Sequence, residues 1–213
     1  EIPAVKNANG QDQLMALNFS SQKVIALLGG NLIFFIAMSW IAIAWHRFIL
    51  IEESNNYIFP SWNNSRIFKY SLKTIVIVTS VIFLLIIPFS MINIFISGLG
   101  LMLILPAVNI LLFISFYYLF FRAGLVLPSI ALDEPMSIRQ SFFETKNISK
   151  EIWGLSVIVI LMILVIGIIS GILAPNNIIG VLVTSLFQWI VVMISASLMT
   201  TLYGHIIERR PIN

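Results

Sequence analysis

Long runs of apolar residues without a charge, divided by short polar segments, set the pattern of this chain. Between Lys23 and Arg47 lie 23 uncharged residues, between Lys73 and Arg122 lie 48, and between Glu151 and Glu208 lie 56. A bilayer core takes about 20 apolar helical residues to cross and rejects charge at its centre. The first run therefore predicts one spanning helix. The second is too long for one crossing and is broken by Ser97-Gly-Leu-Gly100, and the third by Ala174-Pro-Asn-Asn177. Each of these predicts a helical hairpin. The fold class expected is all-α, a polytopic membrane protein with five transmembrane helices at 24–46, 75–96, 101–122, 153–173 and 178–204. These spans form one domain over 24–207, between an external amino-terminal tail (1–23) and a cytoplasmic tail (208–213). A barrel is disfavoured because its strands alternate apolar and polar residues, whereas these runs are continuously apolar.

Composition agrees: 59% of the 213 residues are hydrophobic and 10% charged, where a soluble domain carries roughly 25%. The mean hydropathy of +1.01 excludes a disordered chain. The pI near 9.3 comes from only twelve Lys and Arg, which read as topology signals rather than a nucleic-acid footprint. Ten of them fall on one side: Arg47, Arg66, Lys69, Lys73, Arg122, Arg139, Lys146, Lys150, Arg209 and Arg210. Only Lys6 and Lys23 fall on the other. The positive-inside rule then makes the first side and the carboxyl terminus cytoplasmic, with the amino terminus outside. Trp45, Tyr57, Trp62, Tyr70, Tyr117, Tyr118, Trp153 and Tyr203 cluster toward the same side, as interfacial aromatics would. The chain opens on Glu1, and an outward amino terminus without a signal peptide is explained if a preceding helix carries it across.

After Arg122, the ten residues of AGLVLPSIAL are too few to span again and are expected in the headgroup region. Pro135 suits a first helical turn, and Ser137 with Gln140 has capping-box spacing. Ile138, Phe142 and Phe143 would share one face, giving a cytoplasmic interfacial amphipathic helix.

Candidate chemistry is sparse. There is no cysteine, no GxSxG and no HExxH, so neither catalytic nor metal-binding residues nor a cofactor are expected. His46 and His205 stand at similar depths, but a haem pair needs both rings facing inward from neighbouring helices. His46, Arg47 and Arg122 are the candidate lipid-headgroup ligands, because each arginine is followed by apolar residues that hold its guanidinium in the interface. The carboxylates within reach of these arginines are Glu52, Glu53, Asp133 and Glu134. Asn31, Asn93, Asn109 and Gln188 are expected to bond between helices. Gly167 and Gly171 form a GxxxG pattern, and Ser195 and Ser197 lie in a small-residue stretch; both read as helix-packing surfaces, toward this chain or a second subunit. Pro88 and Pro106 should kink the second and third helices.

Ala44-Trp-His-Arg-Phe-Ile-Leu50 and Arg122-Ala-Gly-Leu-Val-Leu-Pro-Ser-Ile-Ala-Leu132 resemble segments of uncharacterised bacterial inner-membrane proteins. These are the YciC-type proteins and the membrane domain attached to some glycerophosphodiester phosphodiesterases. The resemblance implies six helices, no catalytic residues and location in a bacterial inner membrane; Ile, Asn and Lys usage without cysteine suits an AT-rich genome. The function expected is non-enzymatic: a scaffold, assembly factor or accessory subunit of a membrane complex. Its partners would be membrane lipid and other integral membrane subunits, not nucleic acid. The alternative is a passive transporter or channel lined by the amides.

Overall fold

The computed structural model describes the backbone of residues 8–53, 59–173 and 178–211, and the side chains of 24, 25, 28–53, 59–173 and 179–211. It contains α1 (Ala8–Ile51), α2 (Asn64–Gly98), α3 (Leu105–Gly124), α4 (Val126–Ala131), α5 (Ile138–Glu144), α6 (Ser149–Leu173) and α7 (Ile178–Ile206). No strand occurs among the described residues. Five segments are long and apolar enough to cross a membrane: Leu28–Ile51, Asn64–Gly98, Met102–Ala131, Ser149–Leu173 and Ile179–Ile206.

The chain divides into two compact units, Glu1–Met38 and Ser39–Asn213. The first holds the amino-terminal part of α1, where Val24, Ile25, Leu28, Leu32 and Ile33 are exposed. Residues 8–23 of the amino-terminal tail are helical and continuous with the first span. Gln, Leu, Met and Ala are good helix formers, and adding turns to an existing helix avoids the cost of nucleation.

In the second unit the helix ends follow from local chemistry. Asn63 caps α2, its side chain accepting from the Arg66 N–H at 3.1 Å. The helix therefore starts well before the apolar run and carries Arg66, Lys69 and Lys73. Pro88 lies inside α2, where it leaves the Leu84 carbonyl without its helical donor. At the other end Gly100 takes φ +72°, and a single 3-10 turn over Met102–Ile104 leads into α3. Pro106 falls in the first turn of α3, where a missing N–H is tolerated, so it starts the helix and does not kink it. The 174–177 turn lies outside the described residues.

Within the second unit α3 packs against α2 and α6, α4 against α2 and α7, and α6 against α7. Most buried hydrophobic side chains among the described residues lie toward the end bearing Arg47, Arg66, Arg122 and Arg210, called here the basic end, and burial reaches no farther than mid-helix in α2 and α6 at Val81 and Ile160. Leu50 of α1, Leu125 and Tyr203 of α7 pack together there, with Leu132, Met136 and Ile206 around them.

The segment after Arg122 departs most from expectation. Pro128 cannot donate to the Gly124 carbonyl four residues earlier, so α3 stops there and the chain resumes as α4. Instead of lying among headgroups, AGLVLPSIAL is the most buried stretch of the molecule: Leu125, Val126, Ser129 and Ala131 are fully enclosed. Asp133 ends α4 in the left-handed region, at φ 63°. Around it the Glu134 N–H reaches the Ser129 carbonyl at 2.8 Å and the Asp133 N–H the Ile130 carbonyl at 3.2 Å, the paired bonds of a Schellman motif. The Ser129 hydroxyl donates to the Val126 carbonyl and accepts from the Met136 N–H, pinning the following loop.

Ser137 caps α5, as its spacing to Gln140 suggests, accepting from the Gln140 N–H at 3.1 Å. The expected shared face divides, however. Phe143 is 73% exposed while Ile138 and Phe142 are half-buried, and Ser141 and Thr145 turn fully inward. Tyr70 and Tyr203 are likewise core residues, not interfacial ones, because their hydroxyls sit at the ends of rings already covered by neighbouring helices. Tyr57 lies outside the described residues.

Candidate functional site

The polar chemistry of the second unit is concentrated at the basic end, where three arginines each cap the carboxyl end of a different helix. Such ends present unpaired carbonyls and a partial negative charge, which a guanidinium satisfies. Arg210 donates to the Ile49 and Leu50 carbonyls that close α1, and its Nε lies 2.5 Å from Glu208. Arg47 donates to the Ala131 carbonyl at the end of α4, at 2.8 Å. Arg122 donates to the Phe142 carbonyl near the end of α5, at 2.7 Å.

Arg47 is also ion-paired. Of the four carboxylates named from the sequence, Glu53 bonds it directly and Asp133 lies 3.6 Å away. Asp133 in turn accepts both prongs of Arg66, at 2.6 and 3.2 Å. The left-handed turn at Asp133 thus aims one carboxylate between arginines of α1 and α2. The hydrogen bond from Arg66, then its charge and those of Arg47 and Lys69, hold the Asp133 carboxyl below its ordinary value of 3.8. Its folded-state pKa is depressed, so its contribution to stability is complete above about pH 4 and fades as pH falls through the lowered value. Asp133 is 62% exposed, so Asp133→Asn is expected to cost no more than about 1 kcal/mol at neutral pH. In melting curves, the gap between wild type and this variant should close below pH 4, and a constant gap would refute the assignment.

His46 does not reach a headgroup. Its ring is fully buried, between Thr200 of α7 at 2.7 Å (Nδ1) and Tyr70 of α2 at 3.1 Å (Nε2). The single Thr200 hydroxyl hydrogen goes to the Ala196 carbonyl at 2.8 Å. His46 Nδ1 must then donate to Thr200, and Nε2 accepts from the Tyr70 hydroxyl, which fixes a neutral tautomer. His205 is exposed and bonds the Arg210 carbonyl instead, so the two histidines serve different places. Among the described residues no group of three His, Cys, Asp or Glu could hold a metal ion.

Arg122 keeps a different company. Its Nε donates to Thr145 Oγ1 at 3.2 Å and one terminal nitrogen to the Tyr118 hydroxyl at 3.1 Å; that hydroxyl is 2.6 Å from Ser149 Oγ. The Phe142 and Tyr118 rings lie 4.9 and 5.6 Å from its guanidinium carbon. All these partners are neutral.

The helix-packing residues are redistributed. Among the described residues nothing comes within 4 Å of a Cβ built on Gly167 or Gly171, so neither makes a close contact with another described helix. Ser195 is half-buried and turns its hydroxyl to the Val191 carbonyl of its own helix, and Ser197 is half-buried nearby. Close approach occurs at Gly124, where a Cβ would lie 2.4 Å from Met199 Cε. Three of the four membrane amides, Asn93, Asn109 and Gln188, also differ from expectation. Asn93 and Asn109 donate to the Phe89 and Leu105 carbonyls of their own helices, at 2.7 and 2.8 Å, and Gln188 is exposed. A carbonyl four residues back is always in reach, whereas the neighbouring helix is not.

Sequence reasoning missed the bonds of Tyr70 and Thr200 to His46, the crowding at Gly124 and the capping role of Arg210. The nearest signal was a lone histidine inside an apolar run, which demands partners when buried. Comparison of the chain with known protein families, with curated proteins and with solved structures gives no match.

Proposed function

We propose that this chain is a non-enzymatic subunit of a larger assembly in a bacterial cytoplasmic membrane, a scaffold or accessory component with its basic end in the cytoplasm. The likeness of the segments around His46 and Arg122 to the YciC-type proteins is consistent with that location. One observation carries the reading: the polar bonds between helices gather at the basic end, while the far halves of the hairpins expose both apolar surface and the Asn109 and Gln188 side chains. Small residues and polar side chains on such faces are what associating membrane helices use. The alternative, a passive pathway, would enclose the Asn109 and Gln188 side chains between helices, whereas both are exposed.

Extraction in mild detergent followed by native mass spectrometry tests the reading. Assemblies heavier than the 24.0 kDa chain are expected. Asn109→Leu and Gln188→Leu should each weaken association about threefold, the worth of one polar contact between helices in a membrane. A bare chain under every extraction condition would eliminate the scaffold reading.

A further inference from the structure

The three residues that the sequence nominates for headgroup contact do not fare alike. His46 is enclosed, and Arg47 is neutralised by Glu53 and Asp133. Arg66 and Arg210 also have carboxylates, Asp133 and Glu208. Arg122, bonded into the fold as firmly as these, has no carboxylate in ion-pair range among the described residues. Three of its five N–H groups are directed at Thr145, Tyr118 and the Phe142 carbonyl, which leaves one hydrogen on each terminal nitrogen. A half-buried guanidinium at the end of an apolar helix is stabilised by an anion, and a planar fork with two free hydrogens matches phosphate oxygens. The flanking segment does not supply that anion: Arg139, Lys146 and Lys150 outnumber Glu144 and Glu151.

We propose that Arg122 binds the phosphate of a membrane phospholipid. Exposed apolar groups beside the cation favour a lipid over free phosphate. Phe143, which follows Phe142 in α5, is 73% exposed, and Trp153, one turn beyond Ser149 in α6, is 48% exposed. These offer acyl-chain contact next to the charge. The assignment rests on the membrane reading of the five spans, not on the scaffold reading, because the bound lipid belongs to this chain alone.

The test uses the full chain in a phosphate-free maltoside detergent, with 15N-labelled arginine and the Arg122 resonances assigned by their loss in Arg122→Lys. Diheptanoyl phosphatidylglycerol should shift the Arg122 side-chain signals saturably, and inorganic phosphate at the same concentration should not. By native mass spectrometry, Arg122→Gln should retain about tenfold less phospholipid than wild type, and Arg139→Gln as much as wild type. Partner subunits appear as separate masses in the same spectra, so the two readings fail independently. Because Arg122 also caps α5, the wild-type titration decides if Arg122→Gln does not fold. Absence of a shift with the lipid, an equal shift with inorganic phosphate, or unchanged retention in folded Arg122→Gln would each overturn the assignment.

Discussion

His46→Leu is expected to destabilise the chain by about 1–3 kcal/mol, although leucine is nearly the same size and more apolar. The loss comes from the Tyr70 hydroxyl, which is buried and donates to the ring it would no longer find. Thr200 suffers less, because it keeps its bond to the Ala196 carbonyl. His46→Ala adds a cavity where α1, α2 and α7 meet, raising the expected cost to about 3–5 kcal/mol. The decisive variant is His46→Leu with Tyr70→Phe. Removing both partners leaves no orphaned group, so most of the lost stability should return. Unfolding in detergent, followed by circular dichroism, measures all three. If the double variant is no more stable than His46→Leu, the hydrogen-bonded ring is not what ties these helices.

At Gly124 the determinant is space. A methyl group would overlap the tail of Met199, 2.4 Å from Cε and 2.8 Å from Sδ, and Met199 is only 2% exposed. Met199 is flexible, so Gly124→Ala is expected to cost about 1 kcal/mol as the thioether re-seats, and Gly124→Leu about 3 kcal/mol. Met199→Ala should cost about 2–4 kcal/mol alone but less when combined with Gly124→Leu, because the larger residue fills the space vacated. Gly167→Ala and Gly171→Ala meet open space and gain helix propensity, so each should be neutral or slightly stabilising to the isolated chain. Equal losses at all three glycines would show that backbone freedom, not contact, governs them.

This contrast shows why some of the fold was legible in the sequence and some was not. Charge-free length is a one-dimensional quantity, so the five spans, the Ser97-to-Gly100 break and the Ser137 cap could be read directly. Contact is not one-dimensional. Gly167 and Gly171 carry a recognised spacing without a neighbour among the described residues, while Gly124 has a neighbour 75 positions away in the chain and no spacing to announce it. The 123–132 segment was misplaced for a related reason: hydropathy registers that a stretch is apolar, and cannot distinguish one resting at the membrane interface from one enclosed between helices.

The arginines divide in the same way. By sequence they marked one side of a membrane, and Arg47 and Arg122 drew attention through the apolar residues that follow them. Nothing in their spacing separated the arginine that meets Glu53 and Asp133 from the one that meets only neutral groups. That difference arises when Pro128 breaks α3, α4 packs against α2 and α7, and Asp133 turns left-handed to face Arg47 and Arg66. The linear order of apolar and charged residues determined that this chain is helical and that five segments are long and apolar enough to span; their bounds moved, with α2 beginning at Asn64 and the third segment running on to Ala131. Tertiary structure alone decided which charges are neutralised, which polar atoms are buried and which glycine is crowded, because each depends on distances between residues remote in sequence.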